Sequence, residues 1–138
     1  MLKQVSVFLE NKQGRLRDVL KILAQAGIDI RSLSIAETSD YGVLRLIVDN
    51  TDKALQTLKE NNFRVNITNV IGVEMDDVIG AMFKFVDLLY QQNINVEYSY
   101  TYTPLNKGKS AFAVRVNDDK LQEAIEIIKN SKDIEIIE

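Results

Sequence analysis

The stretch that decides the fold of this chain is VSVFLENKQGRLRDVLKILAQAGIDI, residues 5–30. An alternating apolar strand leads into a polar loop with one glycine, a helix-period stretch follows, and a small turn opens a second strand. The same pattern returns 66 positions later in IGVEMDDVIGAMFKFVDLLYQQNINV, residues 71–96. Because the apolar phase agrees through three successive elements, the sequence predicts two copies of one fold unit.

Each copy then continues through the same order of elements. In the first copy we predict strands at 28–38, 43–48 and 63–67, and before the last of them a helix for which Asn50-Thr51-Asp52 offers N-cap residues. In the second copy we predict strands at 94–103, 111–116 and 134–136, with a helix capped by Asp118-Asp119. Each unit is therefore βαββαβ.

This order predicts an α+β fold of two ferredoxin-like domains, residues 1–68 and residues 69–138. Right-handed crossovers place both helices of a unit on one face of an antiparallel four-stranded sheet. A unit of about 65–70 residues is marginal if it must build its core alone. We therefore expect the two units to pack against each other, against a second chain, or both.

Composition narrows the classes of function. The 138 residues carry a net charge of −3, and the basic residues are scattered among acids, which disfavours a nucleic-acid partner. The chain has no cysteine and no histidine, so it lacks thiol nucleophiles, zinc-thiolate sites and the commonest general base. We predict that it is not an enzyme and has no cofactor. No segment approaches the roughly 20 apolar residues that cross a bilayer, and we expect a cytoplasmic protein without a signal peptide.

The two strand-to-helix loops are the candidate sites. Each places a glycine, Gly14 or Gly80, at a helix start, where first-turn N–H groups are free donors that suit a carboxylate. An α-amino acid also needs an acceptor for its ammonium group. Asn11 and Asp29 in the first copy, and Asp77 and Asn95 in the second, each offer one amide and one carboxylate in swapped order. The alternative is that Asn11 and Asp77 are turn residues and the glycines only permit the turn.

On these residues the chain resembles the ACT family, the small-molecule-binding regulatory module of amino-acid metabolism. The resemblance rests on the strand, Asn11-x-x-Gly14-x-Leu16, the helix, and the Gly27-Ile28-Asp29-Ile30 strand, and the element order extends it over both copies. The family pattern commonly has proline before the glycine, where this chain has Gln13 and Ile79.

The resemblance implies a free-standing pair of ACT domains that binds an amino acid at an interface between domains. The loop and the start of the second strand supply the ligand-binding residues, which here are Asn11, Gln13, Gly14, Arg15, Leu16, Asp29, Ile30, Asp77, Ile79, Gly80, Ala81, Met82, Asn95 and Val96. Because Asp77 would repel a ligand carboxylate, the first copy is the better candidate for that end. The second copy either has lost the ability to bind a ligand or supplies the opposite wall of the binding site.

Two further patterns have ordinary explanations. Tyr98, Tyr100 and Tyr102 share one face of a strand, which predicts a covered sheet surface or a hydroxyl that reaches a ligand or a dimer interface. The acidic pairs at 76–77 and 118–119 lack ligand-spacing motifs, so we predict no metal site.

The function predicted is regulatory. The protein would sense an amino acid, act as a homodimer and modulate an enzyme or pathway of amino-acid metabolism. The alternative is an accessory subunit that oligomerises through its sheets and binds no metabolite. An acylphosphatase-like enzyme would need an arginine cradle for phosphate, of which Arg15 beside Gly14 is the only hint.

Overall fold

The computed structural model describes residues 1–137, and the chain in it forms two compact units. One unit comprises residues 3–68, and the other comprises Met1–Leu2 with the chain from Asn69 onward. Both units have the order strand, helix, strand, strand, helix, strand. The predicted α+β class and the ferredoxin-like arrangement are confirmed.

The helices and strands follow one another without long connections. The first unit contains β1 (Leu2–Glu10) from residue 3 onward, α1 (Arg15–Gln25), β2 (Ile30–Glu37), β3 (Tyr41–Val48), α2 (Thr51–Glu60) and the first part of β4 (Arg64–Asp76). The second unit contains the rest of β4, α3 (Ala81–Gln91), β5 (Tyr98–Tyr102), β6 (Lys109–Arg115), α4 (Asp118–Lys129) and β7 (Ile134–Ile137).

The strand order is the same in both units. It is β2-β3-β1-β4 in the first and β5-β6-β4-β7 in the second. In each, the first strand of the unit pairs antiparallel with the third, as Val7 with Leu44 in one unit and Val73 with Phe112 in the other. Two right-handed crossovers produce this order, because they place the first strand of the unit in the middle of its sheet.

Each sheet buries one face beneath its two helices. In the first unit, alternate residues of β1 and β3 pack against apolar residues of α1 and α2; they include Val5, Val7, Leu9, Leu44, Leu46, Val19, Leu23, Ala54 and Leu58. The second unit repeats this core with Ile71, Val73, Met75, Val114, Phe85, Leu89, Ala124, Ile125 and Ile128. The helices contribute residues three and four positions apart, as the sequence period requires.

Three helices end in the same way with different residues. After α1, Gly27 has φ 71°, and the N–H of Ile28 donates to the carbonyl of Leu23 at 3.0 Å. After α2, Asn62 has φ 66°, and the N–H of Phe63 donates to the carbonyl of Leu58 at 3.0 Å. After α3, Asn93 takes the left-handed position with φ 59°, and the N–H of Ile94 donates to the carbonyl of Leu89, also at 3.0 Å. This pattern satisfies carbonyls that a helix end leaves without partners, and asparagine tolerates the conformation better than other side chains.

Several element boundaries differ from the prediction. The strand expected at 63–67 and the strand that opens the second copy at residue 71 are one strand, β4, because residues 68–70 continue the extended backbone. The strand expected from residue 94 begins at Tyr98, and β2 begins at Ile30 rather than residue 28. The prediction that Asp118-Asp119 caps α4 is wrong: the cap position belongs to Asn117, and both acids lie in the first turn. There Asp118 accepts a hydrogen bond from Arg115 at 2.9 Å, which lowers the pKa of that carboxyl.

The open face of the first sheet is less exposed than strict alternation predicts. Gln4 and Ser6 are buried although they alternate with the core residues of β1, and the side-chain amide of Gln4 donates to the Ser6 hydroxyl at 2.9 Å. In the second sheet the tyrosines of β5 are half-buried and alternate with exposed residues. The rings of Tyr98 and Tyr100 stack 6.5 Å apart, so this row packs along its own strand.

Candidate functional site

The two predicted loops have the same backbone geometry. In the first, the N–H of Lys12 donates to Glu10 and the N–H of Arg15 donates to Lys12, at 2.9 and 3.3 Å. In the second, the N–H of Val78 donates to Asp76 and the N–H of Ala81 donates to Val78, at 2.9 and 3.2 Å. The 66-residue offset therefore holds at the level of individual hydrogen bonds.

Each loop turns into its helix through a left-handed glycine. Gly14 has φ 92° and Gly80 has φ 84°, and each occupies the position that precedes the first helical residue. A side chain with a Cβ atom is strained in this region, which explains the glycine in both copies without any reference to a ligand. The glycines are therefore required by the turn itself.

Neither helix start is capped by a side chain. Within residues 1–137, the backbone N–H groups of Leu16 and Arg17 donate to no carbonyl, and neither do those of Met82 and Phe83. Such first-turn donors, together with the positive end of the helix dipole, favour an anionic group at the helix start. Both loops thus present the same donors for a carboxylate.

Asn11 and Asp77 differ in what they do inside the chain. The side-chain amide of Asn11 donates to the backbone carbonyl of Thr38 at 2.8 Å, and its backbone N–H donates to Asp40 at 2.8 Å. Asn11 therefore ties the loop to the β2–β3 turn, as the alternative turn-residue interpretation expects. The backbone N–H of Asp77 makes the corresponding contact with the carbonyl of Gly108 at 3.0 Å. Any part Asn11 plays in ligand binding remains a prediction.

The residues at the start of the second strand lie at the other end of each helix. α1 has 11 residues, so about 16 Å of helix separates Gly14 from Asp29 and Ile30. Asn95 and Val96 are likewise separated from Gly80 by α3 and precede β5. An α-amino acid carries its ammonium and carboxylate on one carbon atom, so a single unit does not offer both predicted contacts to the same ligand.

Asp29 is already engaged with its surroundings. Its carboxylate accepts from Arg31 at 3.4 Å, and its backbone N–H donates to the side chain of Asp49 at 3.0 Å. The pair with Arg31 is exposed, and exposed pairs contribute little to stability. The carboxylate is therefore readily available to exchange this partner for another cation.

Two charged residues outside the predicted set support the second loop. Lys109 donates to the carboxylate of Asp76 at 2.7 Å, and this hydrogen bond raises the pKa of the lysine. Glu74 is buried and accepts from the side chain of Asn106 at 2.7 Å and from the backbone N–H of Leu105 at 2.9 Å. These bonds lower the pKa of Glu74, and they hold the β5–β6 connection against β4.

The sequence signal for Glu74 was weak but present. An acidic residue within an apolar strand is rarely buried unless it has partners. Its two partners lie 31 and 32 positions along the chain, in a segment that the sequence marks only as a turn. The sequence thus marks Glu74 as an unusual position, whereas only the structure shows that it is buried and which partners it has.

The described part of the chain contains no metal-binding cluster and no helix suited to span a membrane. No group of three or more acidic, histidine or cysteine side chains in residues 1–137 is arranged to hold a metal ion. Over the same residues, no helix combines the length and apolar character that a membrane crossing needs.

Comparison with known proteins gives consistent results. A family model described as an ACT domain pair matches residues 1–137. The crystal structure of protein BT0572 from Bacteroides thetaiotaomicron is 39% identical, with a TM-score of 0.88 over 98% of this chain and 92% of that one. The regulatory subunit of aspartate kinase from Thermus thermophilus has the same fold at 14% identity, with a TM-score of 0.66 over 95% and 92% of the two chains. None of the curated proteins compared with the chain matches it.

Proposed function

Because the chain belongs to the ACT domain pair family, we propose that it is a regulatory protein that binds an amino acid at an interface between ACT domains. The observation that carries this proposal is the pair of uncapped helix starts, each with free first-turn N–H groups behind a left-handed glycine. In this proposal the residue ranges 1–68 and 69–138 are the two ACT domains.

The ligand carboxylate accepts hydrogen bonds from the N–H groups at a helix start. In the first copy these belong to Leu16 and Arg17, and the positive charge of Arg15 adds to the attraction. The ammonium group binds Asp29 or Asn95 of a different ACT domain, since the length of a helix separates these residues from the loop of their own unit. We propose that a second copy of the chain supplies that domain, which makes the homodimer part of the site.

The surface of the second loop supports such a partner. Val78 is 64% exposed, Ile79 is fully exposed, and Phe83 on the following helix turn is 71% exposed. Exposed apolar residues that lie together mark interaction surfaces more often than residues scattered singly. A second chain packed here covers them and brings its own side chains close to the helix start.

The regulated partner is an enzyme of amino-acid metabolism. Aspartate kinase regulatory subunits share this fold, and they illustrate how a pair of ACT domains serves an enzyme as a separate chain. A ligand that bridges two domains shifts their arrangement only by its differential affinity, typically about 1–3 kcal/mol. That range is sufficient to change the state of a bound enzyme several-fold.

A thermal-shift screen of the twenty amino acids tests the proposal. A ligand at ten times its Kd stabilises the folded state by about 1.4 kcal/mol, which raises Tm by roughly 4 °C for a domain of this size. We expect one or a few amino acids to produce such a shift. If all twenty leave Tm unchanged at millimolar concentration, the sensor proposal is wrong.

Matched variants identify the loop that binds. Gln13→Glu places a carboxylate beside the first helix start, where it competes with the ligand, and Gln25→Glu places the same charge at the far end of that helix as a control. Ile79→Glu and Gln92→Glu form the corresponding pair in the second copy. We expect the amino-acid shift to disappear in one or both of the loop variants and to persist in both controls.

The second candidate function is an accessory subunit that binds no metabolite. The exposure of Ile79 and Phe83 favours it, because this apolar surface suits a protein partner as well as a ligand wall. Co-purification of a metabolic enzyme, with an affinity unchanged by any amino acid, would support this candidate against the sensor.

A further inference from the structure

Each unit contains a cavity at the same place in its fold. The cavity is bounded by the end of the first strand, the first residue of the first helix and the start of the last strand. In the first unit it has a volume of about 450 Å³ and includes Leu9, Arg15 and Arg64 in its lining. In the second unit it has a volume of about 360 Å³ and includes Met75, Ala81 and Ile134. Both volumes suit a small organic molecule.

Two arginines line the first cavity, and each lies against an aromatic ring. The guanidinium carbon of Arg15 lies 4.7 Å from the ring centroid of Phe63, and that of Arg64 lies 5.1 Å from the ring centroid of Phe8. Stacking holds a guanidinium in place without using its N–H groups. Tyr41, which is 64% exposed, adds a third aromatic ring to the lining.

Arg15 has a donor that the protein leaves unused. Its Nε atom is buried and has no hydrogen-bond partner within residues 1–137, although one of its terminal nitrogens lies 3.5 Å from Asp18. A buried donor without a partner is costly, and here the guanidinium is held against the Phe63 ring. Glu10, the one acid in the lining, pairs with Lys12 at 3.1 Å, so the wall keeps a positive charge.

The equivalent cavity of the second unit has the opposite character. Asp76 and Asp133 outnumber Lys84 in its lining, and no aromatic side chain contributes to it. Ala81 occupies the place of Arg15. The strand-to-helix loops make the same backbone hydrogen bonds in both units, so at this wall the difference comes from the side chains, Arg15 against Ala81.

We propose that the cavity of the first unit binds a small carboxylate with a flat apolar body. The carboxylate accepts from the terminal N–H groups of Arg15 and from Arg64, while the flat body packs among Phe8 and Tyr41. This pairing of planar, forked donors with a carboxylate is the geometry that arginine favours. The site lies within one unit, and it needs neither a second chain nor the free N–H groups of the helix start.

Benzoate is the probe, titrated into the full-length chain and followed by NMR. We expect saturable shifts of the Arg15 Nε–H signal and of the Tyr41 ring signals. Benzamide tests the flat body without the charge, and inorganic phosphate tests the charge without the flat body; both should bind at least about tenfold more weakly, a difference of 1.4 kcal/mol. Benzamide or phosphate binding as tightly as benzoate would overturn the proposal.

Two variants remove the contacts separately. Arg15→Ala copies the residue of the second unit at the same backbone position, and Arg64→Gln removes a charge from an exposed site. Each should weaken benzoate binding about tenfold or more, whereas Lys21→Ala, at an exposed cation on the same helix, should leave it unchanged. Unaltered binding in Arg64→Gln, or an equal loss in Lys21→Ala, contradicts the proposed contacts.

Arg15 takes part in both proposals, but the two can still be distinguished by experiment. Arg64 and Tyr41 belong only to this cavity, and the amino-acid screen is read in variants at Gln13 and Ile79. Benzoate binding without an amino-acid response would contradict the sensor proposal and support this site. An amino-acid response without benzoate binding would contradict this site alone.

Discussion

Replacing Gly14 by alanine should cost the first unit about 1 kcal/mol of stability. The left-handed backbone of Gly14, at φ 92°, costs an ordinary residue about 1–2 kcal/mol. Alanine also lowers the conformational entropy of the unfolded chain, which offsets about 0.4–1 kcal/mol of this cost. A Cβ atom added at this position meets no heavy atom within 4 Å, so no steric term is added. The cost therefore comes from the backbone alone.

The left-handed backbone at Gly14 predicts an order of stability among variants. Gly14→Asn should cost less than Gly14→Ala, because asparagine tolerates the left-handed region better than alanine does. Gly80→Ala should match Gly14→Ala, since φ is 84° there and the space is equally open. Gly42→Ala is the control: its φ lies outside the left-handed range, and the nearest atom to an added Cβ is 3.5 Å away.

Urea unfolding at equilibrium, followed by circular dichroism, measures these differences. Two units can unfold in separate steps, so each transition is fitted by itself. A loss above about 3 kcal/mol in Gly14→Ala would mean that the loop is crowded, contrary to the structure. A loss no larger than that of Gly42→Ala, or an asparagine variant no better than the alanine one, would refute the left-handed backbone as the cause.

Two further predictions concern single side chains. Glu74→Gln should destabilise the second unit at pH 7 by about 1–3 kcal/mol, because the two loop donors use different carboxylate oxygens and glutamine has only one acceptor oxygen; Glu37→Gln, at an exposed position, is the control. Since the folded pKa of Glu74 is lowered, its contribution is fully present above its ordinary pKa of 4.5 and is lost as the pH falls through the lower folded value. Urea titrations between pH 7 and pH 3 should therefore show the gap between wild type and Glu74→Gln closing, and a gap that stays constant contradicts the assignment. Asn50→Ala should cost about 1 kcal/mol, because its side chain accepts from the first turn of α2 at 3.1 Å; Asn117→Ala, at a cap position whose side chain makes no such bond, should cost less, and equal losses would contradict this.

The sequence could predict those parts of the molecule that depend on local periodicity. Alternation in residues 5–9 and the helical spacing of residues 16–23 each place apolar side chains on one face, and both faces are buried as predicted. The glycines at positions 14 and 80 were readable for the same reason, since a strand that must turn into a helix needs a conformation that other residues avoid. The duplication strengthened each prediction, because an error in one copy would have had to recur in the other.

Contacts between distant positions could not be predicted in the same way. The pairing of Asn11 with Thr38 spans 27 positions, and that of Glu74 with Leu105 spans 31. Such contacts depend on strand register, and a shift of one residue would turn every side chain of a strand to the opposite face. The candidate site shows the same division: the loop residues were foreseeable as neighbours, whereas the stacking of Arg15 on Phe63 was not.

By itself, then, the amino-acid sequence determined two repeated βαββαβ units, their helix starts and their core faces, because these follow from backbone preferences and apolar spacing over a few residues. The tertiary structure alone decided which polar groups are buried, which partners they find, and that two equivalent cavities carry opposite charge. The physical reason is that burial and charge pairing depend on side chains that only the folded sheet brings together.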